Sequence, residues 1–336
     1  MGKNKKKKIA IIMIILGIML LVSGIVVSIS LGAKNIDIGT IISSIFSDKN
    51  DINTKIIRDV RIPRSIAAAL VGGFLAVSGA IMQGITRNPI AEPSVMGITQ
   101  GATFMIAVAL VLQKIYPNIV LNSFTKMIFA FLGASISGLL VYFISSRSIR
   151  KIDPVKLALA GTAMGTLLIS LAMGISMYFN LSQELSFWIS GGLTSAKWQG
   201  VNLLLIVGGI GFVSAMIMSP KITILSLGEE VAIGLGQKTN LVRLVSLIIV
   251  IALTGASVSV AGNIVFVGLI VPQIIRGIIG SDYKYIITLS MLFGSVLLVY
   301  SDILSRMINP PYETPIGSLT ALLGVPIFIY LVRKES

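Results

Sequence analysis

RIPRSIAAALVGGFLAVSGAIMQGITRNPIAEPSVMGITQGA, residues 61–102, decides the reading of this chain. Arg61 and Arg64 stand before an uncharged run, Ser65 to Ile85. A run of about 20 uncharged residues crosses the hydrocarbon core of a bilayer as a helix. Ala68, Gly72, Ala76 and Ala80 recur every fourth residue and form a ridge almost without side chains. In lipid, where packing replaces the hydrophobic effect, such a ridge lets a second helix approach closely. The expected element is a helix packed inside a bundle, with arginines at one mouth. A polar elbow, Arg87 to Pro93, ends it, and an apolar run follows. The bland alternative is a generic membrane helix and loop.

Composition sets the class. The chain has 336 residues, 55% hydrophobic and 12% charged, with a mean hydropathy of +0.95. A soluble domain carries about 25% charged residues, so this is a polytopic membrane protein. There are no cysteines and no histidines. Disulfides, thiol chemistry and the usual zinc sites are therefore excluded. The net charge of +14 reads as the cytoplasmic excess of Lys and Arg in a membrane protein, not as a nucleic-acid surface.

The chain divides into ten expected spans in one transmembrane domain, residues 1–336. Lys3 and Lys5 to Lys8 precede the first, Ile9 to Leu31, which is longer than a signal peptide's apolar core. A polar segment, Gly32 to Val60, separates it from the second, Ser65 to Ile85. Ser94–Leu112, Met127–Ser145, Leu157–Phe179, Val201–Met218, Val242–Val260, Ile264–Ile279, Ile286–Leu304 and Ile316–Val332 complete the set. The fifth carries a close-packing pair, Gly161 and Gly165, and the short eighth contains Pro272. Leu181 to Lys197, with Trp188, is expected near a membrane surface.

With residues 1–8 as a cytoplasmic N-terminus and the C-terminus on the same side, 17 of the 27 basic residues fall inside. Arg61, Arg64 and Arg306 fall outside, against the bias, and need a reason. The spans are almost free of charge away from their ends, so no proton or cation relay is visible. Asp302 and Arg306 are spaced for a salt bridge one turn apart. No nucleophile–base or metal constellation marks an enzyme, and no phosphate-binding G-x-x-x-x-G-K-[ST] loop is present. Uphill transport by this chain needs a separate motor.

Residues 221–242 form a segment expected inside. Within it, Glu229 and Glu230 open a short helix, where acids suit the positive end, and Gly234 and Gly236 close it. Taken alone this is an ordinary amphipathic loop.

Four blocks together carry a resemblance. They are R-x-P-R through R-N-P-x-A-x-P, with Gln83, Asn88 and Pro89; L-G-E-E-x-A-x-x-L-G at Leu227 to Gly236; Gly262 to Asp282; and Asp302 to Arg333. Their wording and order resemble the permease subunits of ABC importers for iron-siderophores, haem and cobalamin, of the FecCD type. The resemblance implies an all-α, BtuC-like (type II) permease fold of about ten transmembrane helices in the cell membrane. Helices two to five and seven to ten would be related by inverted repetition. It implies a second permease subunit, two cytoplasmic ATPase subunits that hold ATP and Mg, and an extracytoplasmic binding protein, with no cofactor in this chain.

By the same resemblance, Leu227, Gly228, Glu229, Glu230, Ala232, Gly234, Leu235 and Gly236 contact the ATPase. Arg61, Arg64 and Arg306 meet acidic residues of the binding protein. The bland alternative for these arginines is pairing with Asp59, Asp302 and lipid headgroups. Gly72, Gly79, Gln83, Asn88, Pro89, Gly161, Gly165, Pro272 and Gln273 are assigned to helix packing and the pathway. Gln273 stands where relatives often have His, so a titrating role is not carried over. Iron(III)-siderophore is the expected cargo, with haem or cobalamin as the alternative. An ion-coupled secondary transporter and a purely structural membrane subunit are the rivals.

Overall fold

The computed structural model describes residues 3–31, 39, 51–118, 120–145, 154–310 and 312–335. Most of the polar segment after the first span lies outside these residues. So do Arg147, Arg150, Lys151, Asp153 and Pro311.

The protein is a helical bundle. Its main helices are α1 (Lys3–Ser30), α2 (Ile62–Thr86), α3 (Ile98–Ile115), α4 (Ser123–Ser145), α5 (Pro154–Tyr178) and α6 (Ser182–Ser190). They continue with α7 (Gly209–Leu227), α8 (Glu229–Gly234), α9 (Thr239–Ala261), α10 (Val267–Ile279), α11 (Tyr283–Met307) and α12 (Ile316–Glu335). Among the described residues, eight helical stretches are long and apolar enough to cross a membrane, and α10 and α12 supply two shorter apolar helices. These match the ten expected spans one for one.

α2 is the axis. In its apolar stretch 83% of residues are buried, against 17% for α1 and for α5. It packs on α11, α9, α10 and α7. The small-residue ridge explains the closeness. A methyl group at Gly72 would sit 2.2 Å from the Gly294 carbonyl oxygen, and one at Gly294 would sit 2.4 Å from that of Gly72. Two turns further on, a methyl group at Gly79 would overlap the Gly268 oxygen. Main chain therefore touches main chain at two levels, which no residue larger than glycine permits at these points. Ser295 of α11 adds a hydrogen bond to the Ala69 carbonyl, 2.6 Å.

Proline inside two of these helices frees carbonyls that side chains then serve. Pro220 has no N–H for the Met216 carbonyl, and the Ser219 hydroxyl donates to it at 2.8 Å. Helix α7 consequently runs through Pro220 to Leu227, nine residues past the expected end at Met218. Pro272 leaves the Gly268 carbonyl without its helical donor. The Gln83 amide nitrogen on α2 reaches it at 3.4 Å and the Leu269 carbonyl at 3.1 Å. Backbone groups at membrane depth must be satisfied inside the protein, so Gln83 is a structural donor to a broken helix.

Other boundaries also shift. α1 starts at Lys3, so the expected polar N-terminus is helical from there. The chain is helical again from Ile52, with Asp51 accepting the Ile52 N–H at 2.8 Å. A π-helical turn, Ile57–Arg61, feeds directly into α2. Trp188, expected at a membrane surface, packs inward against the core. Beside it, left-handed Gly191 (φ 66°) and Gly262 (φ 67°) let the non-helical stretch before α10 pass close to α6.

Gly72→Leu places a large side chain into the α2–α11 contact, where overpacking costs about 1–3 kcal/mol. The expected outcome is reduced accumulation and a lower midpoint of thermal unfolding in detergent. A wild-type midpoint and yield would mean that α2 and α11 separate at that level without cost.

Candidate functional site

Charge is gathered at the two ends of the bundle. At the end where α2 and α12 begin and α11 stops, four charged residues from distant parts of the chain interlock. Arg64 donates from Nε and Nη2 to Asp302 Oδ1, at 3.0 and 2.8 Å. Its Nη1 and Nη2 reach Glu313 Oε1 and Oε2 at 2.7 and 2.9 Å. Arg306 Nη2 holds Asp302 Oδ2 at 3.0 Å, one helical turn along α11. Thr194 donates to Glu313 Oε2 at 2.8 Å.

The same arginines finish α1. Arg61 Nη1 donates to the carbonyls of Ile29 and Ser30, at 2.7 and 3.0 Å. Arg306 Nη1 donates to those of Ser28 and Leu31, at 3.1 and 3.0 Å. The last carbonyls of a helix have no partners within it, and cationic donors suit the negative end of the helix dipole.

The expected outward-reaching arginines are thus turned inward: Arg61 is 8% exposed and Arg64 6%. Asp302 is fully buried, and its expected pairing with Arg306 one turn along is present. It is held between two guanidiniums, an ion pair rather than a proton relay. The pairing with Asp302 matches the bland alternative for Arg64 and Arg306. Among these ion pairs two guanidiniums, Arg64 and Arg306, meet two carboxylates, Asp302 and Glu313. Burial pushes the Glu313 carboxyl up, but the Arg64 guanidinium outweighs it and holds the group below the usual carboxylate range.

At the opposite end, α8 sits between two glycines with positive φ, Gly228 (147°) and Gly236 (77°). Leu227, Val231, Ile233 and Leu235 are exposed around it, while Ala232 is fully buried beneath it. Gly234 faces open space, and Glu230 is exposed. The Glu229 carboxylate takes both arms of Arg243, with Nη1 to Oε1 at 3.1 Å and Nη2 to Oε2 at 3.0 Å. This pair crosses from α8 to the first turn of α9. Sequence reasoning counted Arg243 only as a positive charge.

Two cavities of about 400 and 420 Å³ flank the 3-10 turn Pro93–Met96, the first at the elbow that ends α2. α5 lines both. The first has Met82, Thr86, Asn88 and Glu92 opposite Leu157. The second has Ser94, Thr99, Gln100 and Asn263 opposite Gly161, Gly165 and Thr166. Its walls are hydroxyls, amides and apolar groups without a formal charge.

The elbow that shapes the first cavity follows from its sequence. Arg87 ends α2 in the left-handed region (φ 53°). Asn88 Oδ1 accepts the Ile90 N–H at 3.0 Å across Pro89. Glu92 accepts the Phe266 N–H at 2.8 Å at the start of α10, and burial pushes its carboxyl above the usual range. Of the residues assigned to packing or pathway, Gly161, Gly165 and Asn88 line these cavities. Gly72, Gly79, Gln83 and Pro272 hold α2 to α11 and α10, and Gln273 is half-buried beside Pro272 on α10.

The chain is 47% identical over 97% of its length to the iron(3+)-hydroxamate import system permease protein FhuB of Bacillus subtilis, covering 84% of that protein. It is 38% identical over 98% of its length to the Fe(3+)-citrate import system permease protein YfmD of Bacillus subtilis, covering 97% of it. The ferric enterobactin transport system permease protein FepD of Escherichia coli is 30% identical over 95% of this chain and 94% of its own. A solved metal-chelate type ABC transporter in an inward-facing conformation superposes with a TM-score of 0.83 at 26% identity, covering 98% of this chain and 99% of that one. The model of the FecCD transport family matches residues 14–334, and this multi-pass membrane permease belongs to that family.

Proposed function

We propose that this chain is the transmembrane permease subunit of an ATP-driven importer that brings iron(III)-siderophore chelates into the cell. The observation that carries the reading is near full-length identity to permeases named for ferric hydroxamate, ferric citrate and ferric enterobactin. Each of those names is a ferric chelate, which favours that cargo over haem or cobalamin. Iron enclosed in its chelator needs no ligands from the wall. The second cavity along α5, lined without a formal charge, suits a bulky complex that must pass without sticking.

In this reading the α8 end is cytoplasmic, as are both termini, and the arginine end faces outward. The chain itself hydrolyses nothing. ATP and Mg reside on two partner ATPases, which engage the exposed Leu227, Val231 and Leu235 around α8. A second permease subunit completes the pathway. Closure of the motors on ATP moves α8 and switches the bundle between outward- and inward-open states. An extracytoplasmic binding protein docks at the end of the bundle that carries Arg61, Arg64 and Arg306, where acidic residues of the partner would meet the guanidiniums. Charges at such a surface set encounter rate more than affinity.

Cargo is tested by uptake in a strain with and without the gene, using ferric hydroxamate, ferric citrate, a ferric catecholate, haem and cobalamin. Loss of ferric-chelate uptake with haem and cobalamin unaffected is the expected outcome. Retained ferric uptake with loss of haem or cobalamin would overturn the cargo.

Docking is tested with two variants of opposite sign. Glu313→Gln makes this end more positive and should speed association of the binding protein roughly two- to tenfold at low salt. Arg306→Gln makes it less positive and should slow association by a similar factor. A misfolded variant does not associate faster, so the first result is free of that ambiguity. Unchanged association rates in both variants across ionic strengths would rule out docking at this cluster.

A further inference from the structure

We propose that Arg243 is a positioning residue for energy coupling: the strut that makes α8 move as one body with α9. The inference rests on the reading of α8 as the ATPase contact and adds the part that carries the motion into the bundle.

A six-residue helix has no stability of its own in water, so the position of α8 is set by what ties it down. Its preceding hinge is Gly228 and its following one Gly236, both in backbone conformations that favour glycine. Its attachment to the bundle therefore depends on side chains. One is Ala232, fully buried. Another is the two-armed pair between Glu229, the first residue of α8, and Arg243. The Gln237 amide adds a bond from the following turn to the Lys221 carbonyl of α7 at 2.9 Å.

Arg243 is only 2% exposed. A buried guanidinium that loses its carboxylate is strongly disfavoured, so α8 does not lift away without drawing Arg243 along. The fork geometry fixes orientation as well as distance, which a lysine ammonium does not reproduce. Beyond Arg243, α9 is buried for most of its length and packs on α2 and α4. A displacement at α8 thus enters the bundle at the end of one of its most enclosed helices.

The test uses the full complex of permease, ATPase and binding protein in proteoliposomes, with ferric hydroxamate as the transported probe. The variants are Arg243→Lys, Glu229→Gln and the exchange Glu229→Arg with Arg243→Glu. Chelate transported per ATP hydrolysed should fall roughly five- to tenfold in each single variant and recover to at least half in the exchange. A second readout needs only the purified permease. The chain has no cysteine, so Ile233→Cys, at an exposed position of α8, takes a single nitroxide label. Label mobility should rise in Arg243→Lys and return in the exchange.

Failure of the exchange to restore either readout would mean that Glu229 acts on another partner, and the proposal falls. Single variants that assemble less complex but keep the wild-type transport ratio and label mobility would also overturn it. If the wild-type complex shows no ATP-linked uptake, the importer reading itself fails, while the mobility measurement still decides whether the strut exists.

Discussion

Two glycine contacts on α2 fix the rest of the structure. Gly72 meets Gly294 of α11 and Gly79 meets Gly268 of α10, main chain against main chain. Lipid is as apolar as leucine, so helices gain nothing from hiding apolar surface there. Close packing and internal hydrogen bonds replace that drive. With α2 held at two levels, α9 and α7 find their places around it, and α1 and α5 remain at the periphery. The short α10 is about 20 Å long, less than the hydrocarbon thickness of about 30 Å. Its non-helical approach is sealed by α6, by Gly317 at the start of α12 and by the Glu92 carboxylate.

The second constraint is electrostatic. Charge in a bundle of this kind is stable only where every ion has a partner or reaches water. At the arginine end the partners are Asp302, Glu313 and the final carbonyls of α1, so one network closes α1, α2, α11 and the loop before α12. At the α8 end a single forked pair performs the same task. The cavity lined by Thr99, Gln100, Gly161 and Gly165 carries no formal charge.

Much of this was legible in the sequence because it is local. Uncharged length marks a span, and all ten expected spans have their helices. Period-four small residues mark a packing ridge, and Gly72 proves to be a point of main-chain contact on it, while Gly79 makes its contact from beside the ridge. The Asp302–Arg306 pair follows from helical spacing. The Glu-Glu start and glycine end of α8 follow from capping preferences. What was not legible depends on partners far away in the chain. Arg64 finds Asp302 and Glu313 at separations of 238 and 249 residues, so its burial has no local signature. Pro220 reads as a helix stop, and only the hydroxyl of Ser219, one residue earlier, reveals how the helix continues. Gln83 reads as a polar oddity in an apolar run until Pro272 frees a carbonyl opposite it. Arg243 reads as one more positive charge until α8 folds back over it.

The central claim is that this chain forms the passage but cannot energise it. Reconstitution into liposomes tests this most directly. Accumulation of ferric hydroxamate is followed with the permease alone under imposed proton and sodium gradients, and with ATPase, binding protein and ATP supplied. Uphill accumulation only in the complete system, abolished by a non-hydrolysable nucleotide, is the predicted result. Accumulation by the permease alone on either ion gradient would contradict it.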